Sequence, residues 1–153
     1  MTKAFFAGSF NPYTIGHASI VERALTMFDK VVIGIGINAG KAVDPESVRE
    51  RVSSIARLYS DDRRVSVVSF DTLAVQAARK HGCTVLLRGV RSAADFEYER
   101  NMADVNRTLP GGGMETVLLY ALPQYAAISS SLVRELAGYG VDTSSYLPRQ
   151  SVK

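Results

Sequence analysis

At 153 residues, with 46% hydrophobic and 22% charged side chains, the chain has the make-up of one ordinary globular domain, 1–153, able to bury roughly two thirds of its unfolded surface. A net charge of +3, spread along the sequence without a basic stripe of interleaved aromatics, argues against a nucleic-acid partner but leaves room for a small polyanion held by a few cations. No apolar run of membrane-spanning length, no secretion-type start in MTKAFFAGSF and a single cysteine, Cys83, together predict a soluble cytoplasmic protein with no membrane partner and no internal disulfide.

The first element, KAFFAG (3–8), reads as a short buried strand ending at Gly8. The loop GSFNPYTIGH (8–17) leads into a helix predicted to begin near Gly16, with Ile20, Val21, Ala24, Leu25 and Phe28 at helical spacing. KVVIGIGIN (30–38) is a second strand, and Pro45 opens a helix with Val48, Val52, Ile55 and Tyr59 on one face. RVSVVSF (64–70) is a third strand, LAVQAARKHG (73–82) a helix closed by Gly82, and CTVLLRG (83–89) a fourth strand. In SAADFEYERNMADVNRTL (92–109), Tyr98, Met102, Val105 and Leu109 recur at helical spacing; METVLLYAL (114–122) is a fifth strand and SSLVRELAGYG (130–140) a last helix.

Strands without internal polar alternation, joined by helical crossovers, predict a doubly wound α/β fold with a five-stranded parallel sheet, Rossmann-like, whose ligand lies beyond the carboxyl ends of the strands. The triple glycine 111–113 precedes the fifth strand, on the opposite rim, and reads as a turn.

The loop 8–17 sits where a strand hands over to a helix, the place where unpaired amides and the helix dipole favour an anion. Gly8 and Gly16 permit close backbone approach there, and Ser9, Thr14 and His17 can donate towards the same space; a plain Gly/Pro/Thr turn is the alternative. GIGINAG carries Gly34, Gly36 and Gly40, but its spacing is one residue too long for the dinucleotide fingerprint and its first two glycines fall inside a strand, which disfavours nicotinamide and flavin. Arg88 and Arg91 in LLRGVRS are either forks for phosphate or surface cations paired with Asp95 or Glu97. AISSSLVRE sets Ser129, Ser130 and Ser131 at a helix start, with hydroxyls and amides beyond what simple capping requires. Taken alone, Lys41 reads as a solvated lysine, His81 as a cation in the last turn of its helix and Cys83 as a small buried hydrophobe. No HxxxH, CxxC or carboxylate triplet marks a protein-built metal site, although phosphates commonly bring Mg²⁺ with them.

GSFNPYTIGH resembles the (H/T)xGH motif of the nucleotidyltransferase superfamily, and ISSSLVRE its ISS(T/S)xxR signature. LLRGVRSAADFEYERNMADVNRTL is similar to the RG(V/L)R, ADFEYE and MN(R/K) block of the bacterial phosphopantetheine adenylyltransferases, and the likeness runs from AFFAGSFNP to SYLP. The resemblance implies transfer of AMP from ATP to 4′-phosphopantetheine, giving dephospho-coenzyme A and pyrophosphate. It also implies Mg²⁺ carried by the ATP phosphates, a homohexamer built as a dimer of trimers, and coenzyme A as a candidate feedback ligand. Sibling enzymes acting on nicotinate mononucleotide or glycerol phosphate share the first and last motifs and form the alternative.

By the same resemblance, His17, Lys41, Arg91 and Ser130 are the catalytic residues, with His17 stabilising the transition state. Ser9 and the Phe10 amide meet the α-phosphate region, and Lys41 and Arg88 hold the phosphopantetheine phosphate. Gly89, Val90, Arg91 and Glu99 fall on an ATP-binding block, and Tyr125, Ala126, Ala127, Ile128, Ser129, Ser130 and Ser131 on the segment meeting adenine and the outer phosphates. Ala74 lines the pantetheine arm. Ser9 stands where the family usually has threonine, which keeps the hydroxyl and removes a methyl.

Overall fold

The structure, a computed structural model, describes residues 1–38, 40 and 42–149. Its elements follow one another as β1 (Lys3–Gly8), α1 (Ile15–Ala24), β2 (Lys30–Gly36), α2 (Pro45–Leu58), β3 (Val65–Phe70), α3 (Ala74–Lys80), β4 (Val85–Val90), α4 (Ala93–Arg107), β5 (Glu115–Tyr120) and α5 (Ser130–Gly138). Short 3₁₀ turns at Pro123–Tyr125 and Ser144–Tyr146 complete the order. The five strands form one parallel sheet in the order β3-β2-β1-β4-β5, as the alternation of strand and helix predicts.

Side chains of a strand point alternately to its two faces, and the sequence uses that period to build two cores at once. Phe6, Ile33 and Leu87 face one layer with Ile20 and Val21 of α1 and Ile55 of α2. Their neighbours Phe5, Val32 and Leu86 face the other, with Val75 and Ala78 of α3. Leu87, Ile33 and Phe5 are fully buried, each contributing about 2 kcal/mol by removal from water. Because the chain lays down β2 and β3 on one side of β1 and then crosses to β4 and β5 on the other, the crossovers diverge between β1 and β4. Ligands of such sheets bind at that divergence.

Gly34 and Gly36 of GIGINAG prove to be packing devices. A Cβ on Gly34 would stand 2.3 Å from Cζ of Phe5, and one on Gly36 would stand 3.3 Å from Cζ of Phe70, so both positions make room for aromatic rings. Gly82, at φ +74°, closes α3 as expected, with the Cys83 amide donating to the carbonyl of Ala78 at 2.8 Å.

Two expectations need correction. First, α1 ends at Ala24, and Leu25 and Phe28 pack on the core from the following turn. Second, the apolar stripe of α4 is not core, since Tyr98, Met102 and Val105 are 60%, 41% and 54% exposed. The one residue of α4 that is buried is Glu99. The edge strand β3 shows no polar alternation, as expected: Val65 and Val67 pack on one core layer, Val68 and Phe70 on the other, and the exposed Ser66 and Ser69 fall one on each face. Among the described residues no helix is long and apolar enough to cross a membrane.

Candidate active site

A cavity of about 430 Å³ opens where β1 and β4 end. Its walls come from the loop after β1, the first turn of α1, the end of β4, the first turns of α4 and the start of α5. The sequence-predicted residues Ser9, Phe10, His17, Arg88, Gly89, Val90, Arg91, Glu99, Tyr125, Ile128, Ser129, Ser130 and Ser131 all line it. Ala126 and Ala127 are not among its lining residues, nor is Ala74, which opens α3 and packs against the second core layer. Lys41 lies outside the described residues. A larger cavity of about 770 Å³ lies between the same loop and α2, but His17, Arg88 and the three serines do not line it.

His17 is the third residue of α1 and half of a capping box. The Thr14 side chain accepts from the His17 amide at 3.3 Å, while His17 Nδ1 accepts from the Thr14 amide at 2.9 Å. With Nδ1 occupied as an acceptor, the neutral imidazole carries its proton on Nε2. Burial, followed by the charges of Arg88 and Arg91, lowers the His17 pKa from 6.5 to about 4. At neutral pH the residue is therefore an uncharged Nε2–H donor beside two arginines. Thr14, expected to donate towards a ligand, also lines the cavity, but it is 1% exposed and its hydroxyl is taken up in capping α1.

Phe10 has a backbone φ of +47°, a left-handed conformation that is costly for a bulky residue and concentrates at functional sites. Its ring folds back over the end of β1, edge-on to Phe6 at 5.0 Å and to His17 at 5.0 Å. This packing explains Gly8, where a Cβ would meet the Phe10 ring at 3.0–3.3 Å; the glycine makes space for an aromatic ring. The strain at Phe10 has no signature in the sequence.

Arg88 does not pair with Asp95 or Glu97. Its Nε and Nη2 donate to the two carboxylate oxygens of Glu99 at 2.9 and 2.7 Å, and its Nη1 donates to the carbonyl of Ala7. Of five guanidinium N–H groups, three are thus engaged and two remain for a ligand. Glu99 is 6% exposed and both its oxygens are occupied. Arg91 takes the surface pairing in part, with Nε 3.5 Å from Asp95, whose carboxylate also accepts from the Arg91 amide.

All three serine hydroxyls have partners within the protein. Ser129 caps α5 by accepting from the Leu132 amide at 3.0 Å, Ser130 donates to the carbonyl of Pro12 at 2.7 Å, and Ser131 accepts from Arg134 at 3.3 Å. Arg134 also donates to the carbonyl of Asn11, so α5 is fastened to the β1–α1 loop at two points. The capacity of this segment for an anion rests in the Ser130 and Ser131 amides of the first turn rather than in its hydroxyls. The corresponding amides of α1 belong to Ile15 and Gly16, and a Cβ on Gly16 would lie 3.9 Å from both the Ile128 carbonyl and Tyr125. Two helix starts therefore face one space.

Outside the cavity, His81 caps the end of α3 and its carbonyl accepts from Lys3 at 2.6 Å, while Cys83 is buried and its thiol pKa is raised by that burial. Among the described residues no group of three or more His, Cys, Asp or Glu side chains is arranged to hold a metal ion.

Residues 5–136 match the cytidylyltransferase-like family. The chain is 45% identical over 149 residues to the phosphopantetheine adenylyltransferase of Bacteroides fragilis, with 97% of each chain covered. It is 49% identical over 145 residues to that of Porphyromonas gingivalis, covering 95% of this chain and 93% of the relative, and 40% identical over 152 residues to that of Brucella ovis, covering 97% and 92%. In three dimensions it resembles a Vibrio parahaemolyticus protein solved under the description nicotinate-nucleotide adenylyltransferase, with a TM-score of 0.61 over 97% of this chain and 95% of the other at 20% identity, a likeness of fold.

Proposed function

The chain belongs to the phosphopantetheine adenylyltransferases and to the cytidylyltransferase-like family, and we propose that its cavity transfers AMP from ATP to 4′-phosphopantetheine, yielding dephospho-coenzyme A and pyrophosphate. The observation that carries this reading is the His17 Nε2–H donor set between two open helix starts, with Arg88 and Arg91 on the same wall.

The chemistry needs no general base. A phosphate monoester has its second pKa near about 6, so the acceptor oxygen is largely ionised at neutral pH. That oxygen attacks the α-phosphorus, the bond from the α-phosphorus to the bridging oxygen breaks, and pyrophosphate leaves with the electron pair. The protein holds the two polyanions in line and neutralises charge as it builds on the departing group. The amides of Ile15, Gly16, Ser130 and Ser131 and the His17 Nε2–H serve the triphosphate, together with the Gly89–Arg91 corner. Ser9, the Phe10 amide and the two remaining N–H groups of Arg88 serve the acceptor phosphate, with Lys41 as a further cation and Ala74 along the pantetheine arm. The carboxylates in the cavity, Asp95 and Glu99, are both paired with arginines, so Mg²⁺ would come to this site on the phosphates of ATP, where it would neutralise their charge.

The exposed Tyr98, Met102 and Val105 of α4 support self-association, in keeping with a homohexamer, and light scattering of the purified protein tests it. With ATP as donor the reaction belongs in the cytoplasm, and coenzyme A, which carries the product's skeleton, is the natural feedback ligand. The decisive experiment measures pyrophosphate release from ATP or CTP with 4′-phosphopantetheine, nicotinate mononucleotide and glycerol phosphate, with and without Mg²⁺. Turnover with ATP and 4′-phosphopantetheine is expected, and turnover with another pair instead overturns the assignment. His17→Ala should lower kcat about a hundredfold or more while leaving folding and ATP affinity far less changed.

A further inference from the structure

Behind His17, away from the cavity, stands Tyr13. Its ring stacks on the imidazole with centroids 5.4 Å apart and planes 25° from parallel, and Tyr13 is only 6% exposed. It does not line the 430 Å³ cavity; it faces the groove between the loop and α2. Its hydroxyl hydrogen-bonds that of Tyr59, the C-cap residue of α2. Phe10 closes another side, edge-on to Tyr13 at 5.6 Å and to His17 at 5.0 Å.

Thr14 holds one nitrogen of His17, through its amide at 2.9 Å and its hydroxyl at 3.3 Å, and contacts to Nδ1 alone leave the ring free to rock about that nitrogen. A stacked face removes this freedom, provided the stacking partner is itself held. A phenylalanine or leucine would fill the same space without burying a hydroxyl, which is costly unless paired. The Tyr59 pairing satisfies that hydroxyl and fastens the ring tip to the end of α2. The same helix reaches the loop a second time through Arg51, whose Nη1 donates to the carbonyl of Ser9 at 3.0 Å.

We propose that Tyr13, held by Tyr59, is a positioning residue that fixes the plane in which His17 presents Nε2 to the reacting phosphates. The proposal rests on the adenylyl-transfer reading of the cavity. It makes α2, which contributes no residue to that cavity, the support against which the imidazole is aligned.

The test compares Tyr13→Leu, Tyr13→Phe and Tyr59→Phe with the wild type by steady-state kinetics and by NMR of the His17 ring. Tyr13→Leu is expected to lower kcat about tenfold, less than a full ångström of misplacement would cost, with KM for either substrate changed less than about threefold. Tyr13→Phe, which keeps the ring, should restore kcat to within about threefold of wild type, and Tyr59→Phe should lower it about two- to threefold. In the wild type the carbon-bound His17 protons should be shifted upfield by the stacked ring, with a single Nε2–H tautomer; Tyr13→Leu should lose that upfield shift. A residue that merely fills the core would change melting temperature and leave kcat and the tautomer as they are, and that result overturns the proposal. So does a wild-type spectrum without the ring-current shift. Should Tyr13→Leu fail to fold, unchanged kcat in Tyr59→Phe overturns it. If the wild type releases no pyrophosphate with 4′-phosphopantetheine, the functional reading fails, while the resonance shifts still decide whether Tyr13 orients His17.

Discussion

Arg88 and Glu99, eleven residues apart in the chain, meet through two parallel hydrogen bonds of 2.9 and 2.7 Å at the wall of the cavity. The family likeness places Glu99 among ATP-binding residues, yet its carboxylate is buried and fully engaged, so it acts through the arginine that it orients. Glu99→Gln should therefore raise KM for 4′-phosphopantetheine by about tenfold while KM for ATP stays within about threefold. Arg88 keeps 35% side-chain exposure, so the stability loss is smaller than for a fully buried pair, about 2–3 kcal/mol, or a melting temperature lower by roughly 5–10 °C. Steady-state kinetics with each substrate varied, together with calorimetry, check both. A rise confined to KM for ATP would return Glu99 to the nucleotide.

The His17 pKa makes a signed prediction for stability. Its folded value is about 4 and its ordinary value 6.5, so between those limits the unfolded chain binds more protons than the folded one. Stability should fall as pH drops from 6.5 towards 4 and level off below, by up to about 3 kcal/mol from this residue. Above pH 6.5 the contribution is complete and constant. Urea melts of wild type and His17→Gln at pH 7 and pH 4.5 isolate it, because glutamine does not titrate and its loss on acidification should be smaller. In the same range kcat/KM should show no inflection near 6.5 attributable to His17; finding one would mean that the imidazole is solvated and charged.

Much of this architecture is legible in the sequence because it rests on local periodicity. Runs such as KVVIGIG mark buried strands, and Pro45 and Gly82 mark a helix start and a helix end where their backbone preferences require. The loop 8–17 and the serines of α5 point to one site because both lie where a helix begins. What is not legible depends on three-dimensional pairing. Nothing in LLRGVRS says that Arg88 will choose Glu99 over Asp95, since the choice depends on which face α4 turns to β4. Periodicity marks an amphipathic α4, but it cannot say whether the sheet covers the stripe of Tyr98, Met102 and Val105, and here the sheet does not. Nor does composition show that the Ser130 hydroxyl turns to Pro12.

That last contact separates two roles for Ser130. If the hydroxyl donated to phosphate, its loss would remove a transition-state donor and cost about a hundredfold in kcat. In the structure it donates to the Pro12 carbonyl at 2.7 Å, and the helix amides remain for the ligand. Ser130→Ala keeps those amides and should lower kcat less than about tenfold, with a stability loss of about 1 kcal/mol from the missing hydrogen bond. Single-turnover rates and thermal melts of the variant measure the two effects. A hundredfold loss in kcat would show that the hydroxyl leaves Pro12 for the nucleotide.

Gly34 separates packing from ligand binding within the glycine-rich strand. Read as a dinucleotide fingerprint, GIGINAG would need its glycines for close approach of a cofactor, and substitution would show in activity. In the fold, Gly34 pairs with Ala7 of β1 in the middle of the sheet, and the fully buried Phe5 ring occupies the volume where a side chain would begin. A methyl 2.3 Å from Cζ of Phe5 forces that ring off its position, and the ring is itself wedged against Phe70 at 5.4 Å. Overpacking of this kind costs about 1–3 kcal/mol. Gly34→Ala should therefore lower the melting temperature by roughly 2–12 °C while leaving KM for ATP within about twofold at temperatures where the variant is folded. A variant that melts like the wild type but binds ATP poorly would mean that the glycine serves a ligand after all.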